Sequence, residues 1–346
     1  MKWNNLTYTV ESVLKGHPDK ICDQISDGLL DQYLEKDCNA HTAIECLGTS
    51  NTLIVAGEVN SAITIPVEEC CRKLYQKITD LPTINIVNLL SQQSRQLGKA
   101  VENGGAGDQG VMYGYACDNE YNYLPYGYWL VNNIANRLDN YRDESKDFLS
   151  DGKVQVVISE NTINKLTINV QHSPDVDMEQ LRTNIQKNVL YDLDNTKIFI
   201  NEKGRFIYGG FSNDTGLTGR KIVIDTYGGL VPHGGGAFSG KDPTKVDRSA
   251  AYMCRFVAKN IVANGLAKEC CVSVSYDFGK EQPAMVYVTV DGIFSSQIMH
   301  IVKKNFDFRP QAIIERLNLK NTKYLPTATY GHFTNPNYSW EKIIKL

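Results

Sequence analysis

A glycine- and lysine-rich stretch in the last third of the chain has the composition of a phosphate-binding loop. Three consecutive glycines begin at Gly234, a fourth follows at Gly240, and Lys241 and Lys245 come directly after. The residues from Ser249 onward have helical periodicity. Backbone N–H groups in a glycine loop, fixed cations and a helix N-terminus are the groups that bind polyphosphates. We therefore predict an anion site here, with an ordinary flexible glycine loop as the alternative.

The loop nearly matches the P-loop of nucleotide-binding enzymes. Gly235, Gly240 and Lys241 have the spacing G-x4-G-K, but Asp242 stands where a P-loop has the Ser or Thr that binds Mg²⁺. The mismatch argues against a P-loop kinase or NTPase. A regulatory subunit that only senses nucleotide is a second alternative; it predicts a decayed site, whereas the charged positions described below are filled.

A second stretch near the N-terminus contains residues that could bind a ligand or catalyse a reaction. It is Gly16-His17-Pro18-Asp19-Lys20. Its glycine and proline mark a turn that ends a strand and begins the first helix. His17, Asp19 and Lys20 then lie in or near the first helical turn, where an anion or a metal–phosphate complex is well placed. We therefore predict that these three residues have a functional rather than a purely structural role.

Aspartates recur at every fourth position after this motif, at Asp19, Asp23, Asp27 and Asp31. This spacing stacks four carboxylates on one helix face, and each like-charged pair opposes the helix by a few tenths of a kcal/mol. A divalent cation near Asp19 would relieve part of this repulsion. For the other three we predict a solvated acidic face.

Further cations and an aromatic residue lie on glycine-rich segments in the middle of the chain. Lys153 follows Gly152 at the start of a predicted strand, and Arg220 and Lys221 follow another glycine. Phe206 could stack on a base, and the Arg-Lys pair could bind phosphate. The net charge is −3, so no global basic field attracts nucleic acid. This concentration of cations therefore indicates a local anion site.

Two more polar features stand out. Glu45 and Glu58 lie on a predicted hairpin, where a buried carboxylate would need a cation or an ammonium partner, although exposed edge positions fit equally well. Residues 91–110 break the periodicity and carry Asp108 among several glycines. Long polar loops of this kind are usually lids or linkers, and we predict that 107–110 form a site loop.

Composition bounds the class of protein. The 346 residues suffice for two or three domains, and no apolar run approaches the length of a membrane span. The N-terminus lacks the apolar segment of a signal peptide. The nine cysteines are an odd number without C-x-x-C spacing, which predicts reduced thiols and a cytoplasmic location.

The periodicities predict the pattern helix–strand–strand–helix three times along the chain, which is an α+β architecture. The predicted elements are 23–35, 43–48, 52–59 and 67–78, then 127–141, 154–159, 165–171 and 177–190, then 249–263, 271–278, 284–290 and 295–305. Residues 222–229 are predicted to be a buried strand that leads into the glycine-rich loop.

Three motifs together resemble the signatures of the S-adenosylmethionine synthase (methionine adenosyltransferase) family. They are Gly16-His17-Pro18-Asp19-Lys20, Gly105-Ala106-Gly107-Asp108-Gln109-Gly110 and Gly234-Gly235-Gly236-Ala237-Phe238-Ser239-Gly240-Lys241-Asp242. The resemblance runs from about Glu11 to Trp340. It implies an α+β fold of three structurally repeated subdomains around a pseudo-threefold axis, here expected at 1–103, 104–207 and 208–346. It also implies that methionine and ATP give S-adenosylmethionine and triphosphate, which is hydrolysed to diphosphate and phosphate.

Residue roles follow from the resemblance by matching motifs. The catalytic residues would be His17, Lys153, Arg220 and Lys241. The residues that bind ATP would be these four together with Asp151, Gly152, Arg205, Phe206, Asp214, Lys221 and Ala237. The residues that bind methionine would be Glu58, Gln93, Asp108, Asp214 and Lys245. The metal ligands would be Asp19 and Asp247 for Mg²⁺ and Glu45 for K⁺.

The family also implies cofactors and partners. Two Mg²⁺ ions per site and K⁺ are expected, and the active sites should lie between the two subunits of a homodimer, with a homotetramer as a further possibility. Neither nucleic acid nor membrane is expected as a partner. The chain departs from the family in a shorter loop between Gln93 and Gly105, a trimmed linker before Lys153 and an early end after Trp340.

Overall fold

The computed structural model describes residues 6–81, 83–92, 104–193 and 197–346. The strands of this part are β1 Thr7–Val13, β2 His41–Thr49, β3 Thr52–Asn60, β4 Asn85–Gln92, β5 Gly110–Cys117, β6 Gly152–Ser159, β7 Thr162–Val170, β8 Ile198–Ile200, β9 Gly216–Leu217, β10 Glu269–Tyr276, β11 Met285–Val290 and β12 Ile293–Phe294. The helices are α1 Pro18–Lys36, α2 Val67–Thr79, α3 Tyr126–Ser145, α4 Met178–Asn188, α5 Ile222–Thr226, α6 Val246–Ala263, α7 Ser296–Asn305 and α8 Pro310–Arg316.

The described strands form three sheets of four, in the orders β4-β3-β2-β9, β1-β6-β7-β8 and β12-β11-β10-β5. Each sheet is built on an antiparallel hairpin: β2–β3, β6–β7 or β10–β11. In the first two sheets a helix follows the hairpin and leads to a parallel edge strand, β4 or β8. The threefold α–β–β–α prediction is therefore confirmed, and the architecture is α+β.

Each sheet takes one edge strand from a distant part of the chain. Strand β1 pairs with β6, β5 pairs with β10, and β9 pairs with β2. These exchanges place the loop after β1 beside the start of β6, and the loop after β9 beside the start of α1. Segments far apart in sequence are thereby brought together, which neither periodicity nor composition predicts.

The helices fall into an inner and an outer set. The inner helices α1, α3 and α6 precede the hairpins and are buried over most of their length. The outer helices α2, α4 and α7 follow the hairpins and bury only a narrow apolar stripe, such as Leu181 and Ile185 of α4. Both sets of helices pack on the same face of the sheets. The apolar side chains on that face of the hairpins form the core together with the helices.

The opposite faces of the first and third sheets expose large apolar side chains. In the first sheet Val87 is 41% exposed and Leu89 59%, and in the third sheet Met285, Tyr287 and Phe294 are between 41% and 49% exposed. Contiguous apolar surface on a sheet face is typical of an interaction site.

The predicted strand at 222–229 is wrong. Residues Ile222–Thr226 form the short helix α5, in which the N–H of Asp225 donates to the carbonyl of Lys221 at 2.8 Å. Val223 is 44% exposed, whereas Asp225 is 2% exposed. The β-branched run favours a strand by local propensity, but the buried ion pair of Asp225 with Lys20 fixes a helical turn here instead.

Two other expectations concern the whole chain. All nine cysteines are free thiols, as predicted. No helix in the described residues is long and apolar enough to cross a membrane.

Candidate active site

His17 caps the first helix. Its ring Nδ1 accepts a hydrogen bond from the N–H of Asp19 at 3.2 Å, and Pro18 occupies the first helical turn, where its missing N–H costs nothing. Burial, together with the nearby charge of Lys221, lowers the pKa of His17 to about 4. The imidazole is therefore neutral near pH 7. Because Nδ1 accepts, the proton lies on Nε2, which can donate to a ligand.

Asp19 joins the helix start to the loop after β9. Its Oδ2 lies 2.5 Å from Nζ of Lys221, its Oδ1 accepts the N–H of Leu217 at 3.0 Å, and Nε of Arg220 lies 3.6 Å from Oδ1. Burial raises the pKa of Asp19, but the bonds from Lys221 and Leu217 outweigh it, so the pKa is lowered overall. The structure thus brings together four predicted site residues, namely His17, Asp19, Arg220 and Lys221.

The prediction of a solvated face for Asp23, Asp27 and Asp31 is wrong, because all three are buried. Together with Asp19 they form what we call the aspartate ladder, in which each carboxylate accepts one or two backbone N–H groups from residues that lie after position 216 in the chain. The donors are Leu217 to Asp19, Gly219 to Asp23, Gly240 to Asp27, and Tyr324 and Leu325 to Asp31, at 2.7–3.0 Å. Repulsion along the helix is offset by these bonds and by buried cations.

Lys20 serves the fold rather than the ligand site. Its side chain is 1% exposed, and Nζ donates to Asp23 at 2.9 Å and to Asp225 of α5. Burial lowers the pKa of Lys20, but the two carboxylates outweigh it and raise the pKa overall. The expected functional role of Lys20 is thus indirect, since it fixes the ladder against the loop that carries Lys221.

The glycine-rich loop approaches the first hairpin closely. Gly240 has φ +79°, and a Cβ there would lie 1.8 Å from the carbonyl oxygen of Ile44, so only glycine fits. At the end of the loop, Nζ of Lys241 lies 2.5 Å from Oδ2 of Asp247. Lys245 instead turns back and donates to the buried carboxylate of Asp242 at 2.7 Å.

The predicted site loop at 107–110 lies beside Asp247. A methyl group on Gly110 would be 3.7 Å from Oδ1 of Asp247. The glycine-rich loop packs directly on the start of β5, because a Cβ on Gly234 would overlap the carbonyl oxygen of Val111. Asp108 is exposed and accepts the N–H of Gln109 at 2.8 Å.

Lys153 lies near His17, Asp19, Arg220 and Lys221, which we call the His17 cluster, without bonding to them. It stands opposite Val13 in the β1–β6 pair, and its Nζ is 2.7 Å from Oε2 of Glu11 on the same outward face. Its charge contributes to the lowered pKa of His17. A cavity of about 380 Å³ lies beside these strands and is also lined by Arg220 and Lys221. Two cationic side chains and the carboxylate of Glu11 therefore line this cavity.

Asp151, Arg205 and Phe206 are three of the residues expected to bind ATP. Asp151 is buried and accepts the N–H of Gly210 at 2.8 Å, and burial raises its pKa to about 6. Phe206 donates its N–H to Nε2 of His172 at 3.0 Å. Arg205, which is exposed, donates to the carbonyl of Pro174.

Ala237 faces the loop that carries Arg220 and Lys221, since a Cβ on Gly219 would be 2.6 Å from the Cβ of Ala237. Gly152 opens β6 where a Cβ would be 2.7 Å from Leu14. Asp214 is exposed and accepts the N–H of Thr215 at 2.9 Å.

The two glutamates of the first hairpin are exposed rather than buried. Glu45 stands opposite Ala56, and Glu58 stands opposite Ala43. Both therefore lie on the outward face that also carries Val87 and Leu89. Gln93 lies outside the described residues.

The described residues contain no group of three or more His, Cys, Asp or Glu side chains that could enclose a metal ion. Asp19 and Asp247 each offer one carboxylate next to a lysine. This donor set fits Mg²⁺, which is usually bound through one or two carboxylates, with substrate phosphates and waters supplying the other ligands.

Sequence reasoning missed Arg248 and Asp225. Arg248 is fully buried on α6 and donates to Asp27 and to the carbonyl of Lys241. One signal pointed to burial of the aspartates of α1, among them Asp27, the partner of Arg248. The apolar residues Ile21, Cys22, Ile25, Leu29 and Leu30 stand between these aspartates in the sequence.

Comparison with known proteins gives a consistent result. Models of the S-adenosylmethionine synthetase N-terminal, central and C-terminal domains match residues 5–95, 103–206 and 208–342. The S-adenosylmethionine synthase of Staphylococcus epidermidis is 40% identical over 389 aligned positions, covering 100% of this chain and 98% of the relative. Those of Borreliella afzelii (40% identical; 98% of this chain, 95% of the relative) and Petrotoga mobilis (41%; 99% and 97%) are similar to the same degree. The chain belongs to the S-adenosylmethionine synthase family.

Proposed function

We propose that this chain performs the family reaction at the cation-rimmed region between the start of α1, the loop after β9 and the glycine-rich loop. The sulfur of methionine attacks C5′ of ATP, an S–C5′ bond forms, and the C5′–O5′ bond breaks with its electron pair leaving on the triphosphate. Water then cleaves the triphosphate to diphosphate and phosphate. The observation that carries the proposal is the meeting of His17, Asp19, Arg220 and Lys221.

Stabilisation of the leaving group is the main demand of this reaction. The methionine sulfur is a good neutral nucleophile, whereas the departing triphosphate gathers negative charge on its oxygens. Fixed cations at that position lower the barrier, and one such contact is typically worth about 3–4 kcal/mol. Lys153, Arg220, Lys221 and Lys241 would supply this charge, and Lys245 would bind methionine at the edge.

His17 would donate its Nε2 proton to the oxygen that leaves C5′. The neutral state of the His17 ring suits a hydrogen-bond donor at this position, because a positively charged ring would be repelled by Lys221. The neighbouring helix N-terminus adds a favourable dipole for the same anion.

The family uses a divalent metal and potassium. We assign Asp19 and Asp247 to two Mg²⁺ ions and Glu45 to K⁺. Bound Mg²⁺ supplies charge that neutralises the triphosphate as it departs. Each of the two carboxylates assigned to Mg²⁺ is also paired with a lysine, Lys221 or Lys241, that would hold the phosphates.

Substrate recognition would involve the remaining residues. Arg205, Phe206 and Ala237, with Asp151 and Gly152, would border the nucleoside and its phosphates. Asp214 would contact both substrates. Glu58, Asp108 and Gln93 would bind methionine. Glu58 would contact the ammonium group of the substrate.

A homodimer would complete the site. Glu45 and Glu58 lie on the outward face of the first sheet. The His17 cluster lies instead at the edge of that sheet, near β9. A second copy seated on the exposed apolar faces of the sheets would cover Val87 and Leu89 and bring its own glutamates to the seam. A pairing of dimers into tetramers is a further possibility.

Two further assignments accompany this function, the domain boundaries and the cellular compartment. We propose domains at 1–103, 104–207 and 208–346, with each sheet completed by a strand from another domain. The nine free thiols suit a reducing compartment, and we propose the cytoplasm.

The test is a product analysis. Protein is mixed with ATP, methionine, Mg²⁺ and K⁺, and the expected products are a sulfonium compound, diphosphate and phosphate in equal amounts. ADP as the main product would indicate a kinase, and binding without turnover would indicate a nucleotide sensor; either result would overturn the proposal.

A further inference from the structure

Buried residues hold the backbone of Gly240 and Lys241 through four hydrogen bonds. The N–H of Gly240 donates to Oδ1 of Asp27 at 2.8 Å, and the carbonyl of Gly240 accepts from the N–H of Ile44 at 3.1 Å and from the hydroxyl of Thr42 at 3.0 Å. The carbonyl of Lys241 accepts from Nη1 of Arg248 at 2.9 Å. A surface loop would leave most of these groups to water.

Two of these groups also bind each other. The guanidinium of Arg248 forms a two-pronged ion pair with Asp27, with Nη1–Oδ1 and Nη2–Oδ2 distances of 2.7 and 2.6 Å, and both side chains are 0% exposed. Asp27 therefore bonds the N–H before Lys241, and Arg248 bonds the carbonyl after it. The planar guanidinium fixes this geometry in a way that a lysine ammonium group cannot.

Helix α1, which carries Asp27, also holds the segment that carries Arg220 and Lys221. Asp23, one turn before Asp27, accepts the N–H of Gly219 at 2.8 Å, directly before Arg220 and Lys221. One helical turn spans about 5.4 Å. The aspartate ladder thus sets the spacing between the loop that carries Arg220 and Lys221 and the loop that carries Lys241.

We propose that Asp27 and Arg248 are positioning residues that hold the Lys241 ammonium group where the triphosphate departs. This inference rests on the proposed function. Neither side chain touches the substrate, and both act through the backbone of Gly240 and Lys241. A displacement of a catalytic group by about 1 Å can cost about 100-fold in rate, so loosening this peptide should lower turnover.

The chain offers a matched control for each residue. Arg255 lies on the same helix, is equally buried and makes an equivalent ion pair with Glu341, but it bonds the carbonyls of Tyr115, Asn122 and Tyr123, away from the site. Asp31 is the next member of the ladder and bonds Tyr324 and Leu325, which carry no proposed site residue.

The experiment compares Arg248→Lys and Asp27→Asn with Arg255→Lys and Asp31→Asn in the full-length protein. Melting temperature, kcat and KM for ATP are measured, together with the Kd of inorganic triphosphate in the presence of Mg²⁺ by calorimetry. We expect all four variants to lose some thermal stability. Only Arg248→Lys and Asp27→Asn should lower kcat, by about 10- to 100-fold, and weaken triphosphate binding. Equal kcat and equal Kd in test and control variants would overturn the proposal.

A double-mutant cycle with Lys241→Ala gives the second test. If Arg248 acts through Lys241, Arg248→Lys should reduce kcat in the wild type but change it less than about twofold in the Lys241→Ala background. Effects that multiply would overturn the proposal. Should Arg248→Lys yield no folded protein, Asp27→Asn takes its place in the cycle. A wild-type protein that binds triphosphate but forms no sulfonium product would refute the proposed function alone, because the binding comparison still tests the positioning role.

Discussion

The carboxylate of Asp19 and the ammonium group of Lys221 lie 2.5 Å apart although 202 residues separate them in the chain. Strand β9, which pairs with β2, brings the loop that carries Lys221 onto the first turn of α1. A similar pair, Lys241 and Asp247, closes the glycine-rich loop. In both pairs a proposed phosphate-binding lysine neutralises a proposed magnesium ligand, so neither of these partly buried charges is left unpaired.

Lys241→Ala should impair catalysis far more than folding. The lost contact to the departing triphosphate should lower kcat by about 10²–10³-fold. The lysine is partly exposed and makes one ion pair, so the free energy of unfolding should change by no more than about 1 kcal/mol. Steady-state kinetics and thermal denaturation without ligand measure the two effects.

The control for Lys241→Ala is Lys73→Ala. Lys73 forms an exposed ion pair with Glu69 on α2, away from the site, and its loss should leave kcat unchanged. A large drop in the melting temperature of Lys241→Ala, with normal turnover in the protein that remains folded, would show that this lysine serves the fold.

Stability should depend on pH through His17. The pKa of His17 is lowered from 6.5 to about 4 in the folded protein, chiefly by burial. Between pH 6.5 and about 4 the unfolded chain therefore binds a proton that the folded protein does not, so the free energy of unfolding falls as the pH falls through this window. Above pH 6.5 the residue contributes no slope. Chemical denaturation at several pH values should show that the free energy of unfolding depends less steeply on pH for His17→Gln than for the wild type.

His300→Gln, which removes a histidine at an exposed position on α7, is the control for that series. His17→Gln also keeps an N–H that can donate, whereas His17→Ala does not. A higher kcat for the glutamine variant than for the alanine variant would agree with a donor role, and equal values would contradict it.

Gly240→Ala should damage both stability and activity. The left-handed backbone costs a non-glycine residue about 1–2 kcal/mol, and the added Cβ would overlap the carbonyl oxygen of Ile44. Gly265→Ala is the matched control, since its φ is +71° but nothing lies within 4 Å of the added Cβ. Gly265→Ala should show only the backbone cost and full turnover. If both variants lose equal stability and keep kcat, the close approach of the loop to β2 does not matter for the site.

Leu89→Asp should separate the dimer and abolish turnover. Leu89 is 59% exposed on the outward face of the first sheet, where a charge would be buried on association. Analytical ultracentrifugation should show a monomer for this variant and a dimer for the wild type. Leu266→Asp, at an apolar residue that is 39% exposed after α6, should remain dimeric and active. A dimeric, fully active Leu89→Asp protein would place the interface elsewhere.

Local patterns were sufficient to predict the three α–β–β–α units, because periodicity is a short-range property. The phosphate-binding role of the glycine-rich loop stays a prediction. Local patterns failed where distant partners decide the outcome. Asp23, Asp27 and Asp31 look solvated in sequence, since their bonds go to N–H groups about 200 residues or more away. Residues 222–226 look like a strand, since Lys20 is not visible as the partner of Asp225. Arg248 gives no signal at all apart from its place beside Asp247.

The most direct test of the account is a crystal structure with Mg²⁺ and a non-hydrolysable triphosphate analogue. The account predicts that Nζ of Lys153, Lys221 and Lys241 and the guanidinium of Arg220 lie within hydrogen-bond distance of phosphate oxygens at a seam between two subunits. Triphosphate bound elsewhere, with these four side chains still directed into solvent or toward their present carboxylates, would contradict it.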